Sequence, residues 1–204
     1  MISLRSSSLA RAEIEKPATF NAPLFRSVAE RLDTGGRWVV LDLGAAHRQT
    51  ISFFSQYRCR LDVADLGEGL EALNAESDPV RLAFAAEALL PMRHDDTTDI
   101  VLCWDVLNYL ERPALTALMS CVAARARPGT LVHALIVYSD RYMPAQPGNY
   151  LPLDDCNLFD LSACHDERPA PQYTPVDLES CLKGYVMDRV VLLGNGMQEF
   201  LFRL

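Results

Sequence analysis

Residues able to do chemistry cluster where apolar runs of this chain end. Asp42 lies in Val40-Leu-Asp-Leu-Gly44, and Asp65 closes Leu61-Asp-Val-Ala-Asp65. Glu87 follows the run Arg81–Phe84, and Trp104 to Asn108 follow Asp99-Ile-Val-Leu-Cys. Carboxylates at such places accept hydrogen bonds, either from a ligand or from the turn itself. Asp42 is open to both roles. Asp65-x-x-Glu68 has capping-box spacing, so Asp65 is also a candidate helix cap. Gly44 lets the backbone turn sharply and come close to a ligand. His47, three residues on, carries an imidazole that titrates near neutrality, though its place in a turn fits a surface residue better. G-x-G-x-x-G is absent, because Ala and Gln stand at positions 46 and 49, and no G-x-x-x-x-G-K-[ST] occurs. Nicotinamide dehydrogenases and P-loop nucleotide hydrolases are therefore disfavoured.

A second cluster joins Cys156, Cys164 and His165 to Asp154, Asp155, Asp160 and Asp166. A structural zinc site needs four ligands at workable spacing. Cys-x7-Cys-His without a second pair does not supply them, so the stretch reads as an acidic, solvated loop and no metal is expected. Trp104, Tyr109, Tyr138 and Tyr150 are candidates to line a pocket, and equally to be ordinary core.

The elements that must position these residues follow from periodicity. Leu24, Val28 and Leu32 share one helical face. Trp38 to Leu43 is a continuous apolar run that suits a strand buried on both sides. A helix from Arg48 to about Tyr57, a strand Cys59–Asp65 and a helix Gly67–Glu76 come next. A third strand is expected at Arg81–Phe84 and a fourth at Asp99–Trp104, then a helix Pro113–Arg127 stopped by Pro128-Gly129. A fifth buried strand is expected at Leu131–Tyr138. Arg141 to Tyr173 lacks a period and reads as a long loop or lid, of the kind that binds substrate. Its expected substrate contacts are Tyr142, Tyr150, Asp154 and Asp155. Thr174-Pro-Val-Asp177 is a capping box for a helix ending near Lys183. Val186–Leu193 and Glu199–Phe202 would form a hairpin through Gly194-Asn-Gly196. The alternation predicts an α/β domain: a mostly parallel sheet, helices on both faces and an antiparallel C-terminal hairpin. Ligands of such sheets sit at the carboxyl ends of the strands.

The chain has 204 residues, 50% hydrophobic and 23% charged, which suits a single core. The division is an N-terminal arm over 1–23 and one domain over 24–204 carrying the 141–173 lid. Nineteen basic against twenty-seven acidic residues give a net charge of −8, which argues against a nucleic-acid partner. No run of eighteen apolar residues exists to cross a membrane. The start, MISLRSSSLARA, is followed by Glu13 and Glu15 and has no apolar stretch of signal type, and the six cysteines form no C-x-x-C pair. A reducing cytoplasm with free thiols is expected. Nothing in the sequence sets an oligomeric state.

In their order and spacing, several of these pieces resemble the class I S-adenosylmethionine-dependent methyltransferases. The resemblance runs from about Leu24 to Leu204 and rests on Val40-Leu-Asp-Leu-Gly44, Leu61-Asp-Val-Ala-Asp65-Leu, Leu90-Pro-Met, Thr98-Asp-Ile-Val-Leu, Val106-Leu-Asn-Tyr-Leu and Arg127-Pro-Gly-Thr-Leu. It implies a Rossmann-like, seven-stranded sheet in the order 3-2-1-4-5-7-6 and S-adenosylmethionine as cofactor. By the resemblance, Asp42, Gly44 and Ala46 would meet the methionine end, and Asp65 would accept from both ribose hydroxyls. Glu87 would lie near the adenine amino group and Trp104 on the cofactor's apolar side. The family's G-x-G-x-G loop here reads Gly44-Ala-Ala-His-Arg48, with two glycines replaced. The implied activity is methyl transfer to a small molecule or a protein side chain, with His47 or Asp105 as candidate bases. The departure from the glycine pattern keeps a second reading open, a methyltransferase-shaped binding or regulatory protein without catalysis.

Overall fold

The computed structural model describes residues 19–161 and 166–204. Cys164, His165 and the first part of the expected arm lie outside these residues. The elements are β1 (Thr19–Asn21), α1 (Arg26–Asp33), β2 (Trp38–Asp42), α2 (Arg48–Phe54), β3 (Cys59–Val63), α3 (Leu70–Ala75), α4 (Pro79–Leu89), β4 (Thr98–Trp104), α5 (Arg112–Ala123) and β5 (Ala126–Val137). They continue with β6 (Tyr142–Pro144), β7 (Tyr150–Pro152), β8 (Asn157–Asp160), β9 (Glu167–Pro169), α6 (Pro175–Cys181), β10 (Val186–Leu192) and β11 (Met197–Arg203).

The main sheet has six strands in the order β10-β11-β5-β4-β2-β3. β3, β2, β4 and β5 run parallel, and β11 is antiparallel to both β5 and β10. Successive residues of the buried strands face opposite layers, as strand geometry requires. Val40, Ile100, Leu102 and Leu135 pack under α1 and α2 with Val28, Leu32, Phe53 and Phe54. Leu41, Val101, Cys103, Ala134 and Ile136 pack against α3 to α6 through Leu70, Leu82, Leu115, Met119 and Leu178. Helices therefore cover both faces. No helix among the described residues is long and apolar enough to cross a membrane.

Two expectations are corrected here. Arg81–Phe84 is not a third strand but the middle of α4. Asp78 Oδ1 caps that helix, accepting from Val80 N–H at 3.0 Å and Arg81 N–H at 2.9 Å. Pro79 occupies the first turn, and alanine favours the rest. Leu82 and Ala86, one turn apart, face the core beside α5. The sheet consequently has six strands rather than seven: read from β3 to β10 it follows the expected order as 2-1-4-5-7-6, without the edge strand 3.

The 141–173 segment is likewise not a structureless loop. β6 pairs with β9, while β8 lies between β1 and β7 in a three-stranded antiparallel sheet. These strands are three or four residues long and punctuated by proline, too short to show a period. β1, from the end of the expected arm, belongs to the same small sheet. At the other end, Thr174 and Asp177 form the expected capping box of α6.

Candidate functional site

The carboxyl edge of the parallel strands carries two cavities. The first, of about 500 Å3, lies beyond β2 and β3 and is lined by Gly44, Ala45, Asp65, Glu68, Val106 and Tyr109, with residues 145–149 crossing it. The second, of about 670 Å3, lies beyond β4 and β5, roofed by β1 and the 141–160 segment, and is lined by Asp105, Tyr142, Tyr150 and Asp160. Tyr109 lines both, so it forms part of their common wall.

Asp42 acts on the first cavity through the backbone. It is 1% exposed, and its Oδ1 accepts from Gly44 N–H at 2.9 Å and from the Trp104 indole N–H at 2.6 Å. Burial raises its carboxyl to about 6, against the pull of those two bonds and of nearby His47. Of the two roles open to Asp42, the structure displays the turn-fixing one. Trp104 does not line the first cavity. Its ring stacks between Phe25 and Tyr150, at centroid distances of 6.0 and 6.1 Å, behind the glycine turn. A Cβ on residue 44 would come within 2.6 Å of Trp104 Cδ1, which is why this position must be glycine.

Asp65 does not cap a helix. It has φ +50° at the end of β3, makes no side-chain cap bond and stands exposed on the wall of the first cavity. Ala46 is exposed and outside both cavity linings. Glu87, expected near the adenine amino group, lines neither cavity. With the third strand replaced by α4, it sits on a helix and pairs with Arg125 at 2.7 Å. His47 precedes α2 and pairs its Nε2 with Asn149 Oδ1 at 3.0 Å.

Of the expected substrate contacts, Tyr142 and Tyr150 line the second cavity. Asp154 does not: its Oδ1 accepts from Cys156 and Asn157 N–H at 2.9 and 2.8 Å, so it closes a local turn, and the Asn157 bonds hold its carboxyl below the usual range. Asp155 pairs with Arg26 at 3.1 Å.

Sequence reasoning singled out Asp105 only as a candidate base and missed its partners. Asp105 is 4% exposed at the end of β4. Gly148 N–H donates to its two oxygens at 3.1 and 3.0 Å, and Tyr150 O–H donates to Oδ2 at 3.3 Å. Burial pushes its carboxyl up to about 7, with the charge of Asp160 adding to the rise and the donors opposing it. Asn108, a candidate by its place after the strand but given no role, holds this corner to β5: its Nδ2 donates to Asp105 O and Leu135 O at 2.8 and 2.9 Å, and its Oδ1 accepts from Val137 N–H at 2.9 Å. A polar residue inside the apolar run Val106–Leu110 was the available signal. Tyr109 O–H reaches Pro144 O and Gln146 O at 3.0 and 2.7 Å, which anchors the crossing segment above the common wall.

No protein-family model and no curated protein matches the sequence. Solved structures match the fold. An S-adenosylmethionine-dependent methyltransferase from Clostridium acetobutylicum superposes with a TM-score of 0.53 at 12% identity, over 88% of this chain and 90% of that one. A SAM-dependent methyltransferase from Aquifex aeolicus gives 0.51 at 13%, over 88% and 89%. The glycopeptide N-methyltransferase MtfA in complex with sinefungin gives 0.51 at 13%, over 89% and 92%. At such identities the likeness is one of fold: the chain has the fold of the class I S-adenosylmethionine-dependent methyltransferases.

Proposed function

We propose that this protein is a methyltransferase that takes its methyl group from S-adenosylmethionine and delivers it to a small molecule or a protein side chain. The observation that carries the reading is the first cavity. Its volume of about 500 Å3 falls in the range of small-molecule sites. Asp65, exposed and without a cap bond, presents two acceptor oxygens there, which suits adjacent ribose hydroxyls. Gly44 and Ala45 bring backbone to the same wall. The carboxylates of Asp65, Glu68 and Glu71 outnumber the guanidinium of Arg168, a balance that favours a cationic ligand. When bound, S-adenosylmethionine supplies an electrophilic methyl on a sulfonium sulfur. The chain's own residues then need only hold the acceptor in line with it, so alignment across the Tyr109 wall is the main catalytic demand.

The second reading, a binding protein without catalysis, draws on one observation. Gly148 and Asn149 lie across the first cavity, tied to Asp105 and His47. Isothermal titration with S-adenosylmethionine and S-adenosylhomocysteine separates the two. Micromolar binding, weakened about 10- to 100-fold by Asp65→Ala through loss of charge-assisted bonds, supports the enzyme. No heat at millimolar ligand with folded protein retires it in favour of the binding protein.

A further inference from the structure

We propose that Arg168, carried by β9 of the 141–173 segment, binds the carboxylate at the amino-acid end of the cofactor, and so makes the first cavity select adenosyl ligands that have one. This rests on the methyltransferase reading.

Arg168 is the one cation in the lining of that cavity among the described residues. Its guanidinium is half-buried and lies over the Tyr109 ring, 5.6 Å from the centroid. The stack fixes the plane of the group but occupies none of its five N–H donors. Among the described residues, no oxygen accepts a hydrogen bond from them and no carboxylate pairs with them. Other arginines of the molecule are spoken for: Arg125 by Glu87, Arg127 by Asp99, and Arg60 by Asp62 and Asp96. A guanidinium held by a ring, with its fork open to a cavity, suits a carboxylate, which it meets through two parallel bonds.

The place of Arg168 in the cavity says which carboxylate. Along the sheet order β3-β2-β4, the lining runs from Asp65 after β3, past Gly44 after β2, to Val106 and Tyr109 after β4. Neighbouring strands stand about 4.8 Å apart, so the ends of this row are separated by roughly 10 Å. Arg168, stacked on Tyr109, stands at the β4 end. A ligand whose ribose meets Asp65 and whose sulfur-containing chain passes the Gly44 turn ends beside it. S-adenosylmethionine has a single anionic group, the carboxylate at that end. The loop after β2 does not compete for it: Ala46 and Arg48 are exposed and outside the lining, and His47 is tied to Asn149. Arg168 thus supplies, from a distant segment, a contact at the methionine end where Ala46 was expected.

The test uses the full chain and two matched probes, S-adenosylhomocysteine and S-adenosyl-3-thiopropylamine, the same molecule without its carboxylate. Each is titrated calorimetrically at neutral pH. Wild type should bind S-adenosylhomocysteine at least about tenfold tighter than the decarboxylated probe. Arg168→Gln should weaken S-adenosylhomocysteine by about tenfold or more and leave the decarboxylated probe unchanged. Arg168→Lys keeps the charge without the fork and should fall between, and it carries the test if Arg168→Gln does not fold. Equal wild-type binding of the two probes, equal weakening of both by the substitutions, or undiminished S-adenosylhomocysteine binding by the variants overturns this inference alone. No binding of S-adenosylmethionine or S-adenosylhomocysteine by folded wild type overturns the methyltransferase reading with it.

Discussion

Gly148 N–H donates to both carboxylate oxygens of Asp105, across forty-three residues of sequence, and so ties the segment over the first cavity to the end of β4. The contact is close because residue 148 has no side chain. A Cβ there would stand 2.6 Å from the Tyr150 ring, which itself bonds Asp105. Gly148→Ala should therefore push Tyr150 away and loosen the whole corner. The expected loss of stability is about 1–3 kcal/mol, the usual range for overpacking, read as a lower midpoint in denaturant. An unchanged midpoint would mean that the segment yields freely.

Gly44 and Trp104 form a comparable pair at the first cavity. Gly44→Ala places a methyl 2.6 Å from Trp104 Cδ1 and 3.0 Å from its Nε1, the atom that bonds Asp42. The indole is buried and stacked on two rings, so it has nowhere to retreat. A cost of about 1–3 kcal/mol is expected. Trp104→Ala removes the clashing ring atoms and should relieve part of it. The double variant should then be less destabilised than the two singles summed, by more than about 0.5 kcal/mol. Strict additivity would show that the close approach carries no strain.

What was legible in the sequence divides along physical lines. Trp38–Asp42 and Thr98–Trp104 are buried on both faces, so continuous apolar runs mark them without ambiguity. Thr174-Pro-Val-Asp177 is a local device, and four residues suffice to read it. Arg81–Phe84 misleads because its apolar residues suit either period, and the deciding signal, Asp78-Pro79, lies just before it. At the site, Asp65 and Gly44 are visible because each ends a strand. The role of Asp105 was not legible in full: its partners Gly148 and Tyr150 come from a distant segment with no period, and no local pattern announces such a pairing.

Asp105 also makes stability depend on pH. Its folded carboxyl titrates at about 7, above the ordinary value of 3.8, chiefly because burial disfavours the charge. The folded state thus holds a proton that the unfolded chain has already released, and stability falls as pH rises from about 4 to about 7. Asp42, raised to about 6, contributes in the same direction. Asp105→Asn removes the titration and keeps an acceptor for Gly148. Relative to wild type, it should gain stability steadily between pH 4 and 7, by a few kcal/mol at most, and hold that gain above pH 7. Chemical denaturation across this range checks it. A constant difference between the two proteins would show that Asp105 is not buried as described.

The most demanding polar site is in the core, outside the linings of both cavities. Glu199 on β11 is fully buried, and its oxygens accept from Leu24 N–H at 2.9 Å, Phe25 N–H at 2.8 Å and His133 Nε2 at 2.8 Å. Those two amides belong to the start of α1, whose first turn has no side-chain cap of its own. Glu199 therefore does from another strand what a capping residue does locally, and joins α1 to the sheet. Glu199→Leu would match the apolar surroundings yet strand two amides and an imidazole without acceptors. It should cost about 3–5 kcal/mol, as for a broken buried pair. Glu199→Gln keeps one carbonyl acceptor and should cost less. The ordering Leu worse than Gln, measured by denaturant midpoints, follows only if hydrogen bonding and not volume holds Glu199 in place, since both replacements fit the same space.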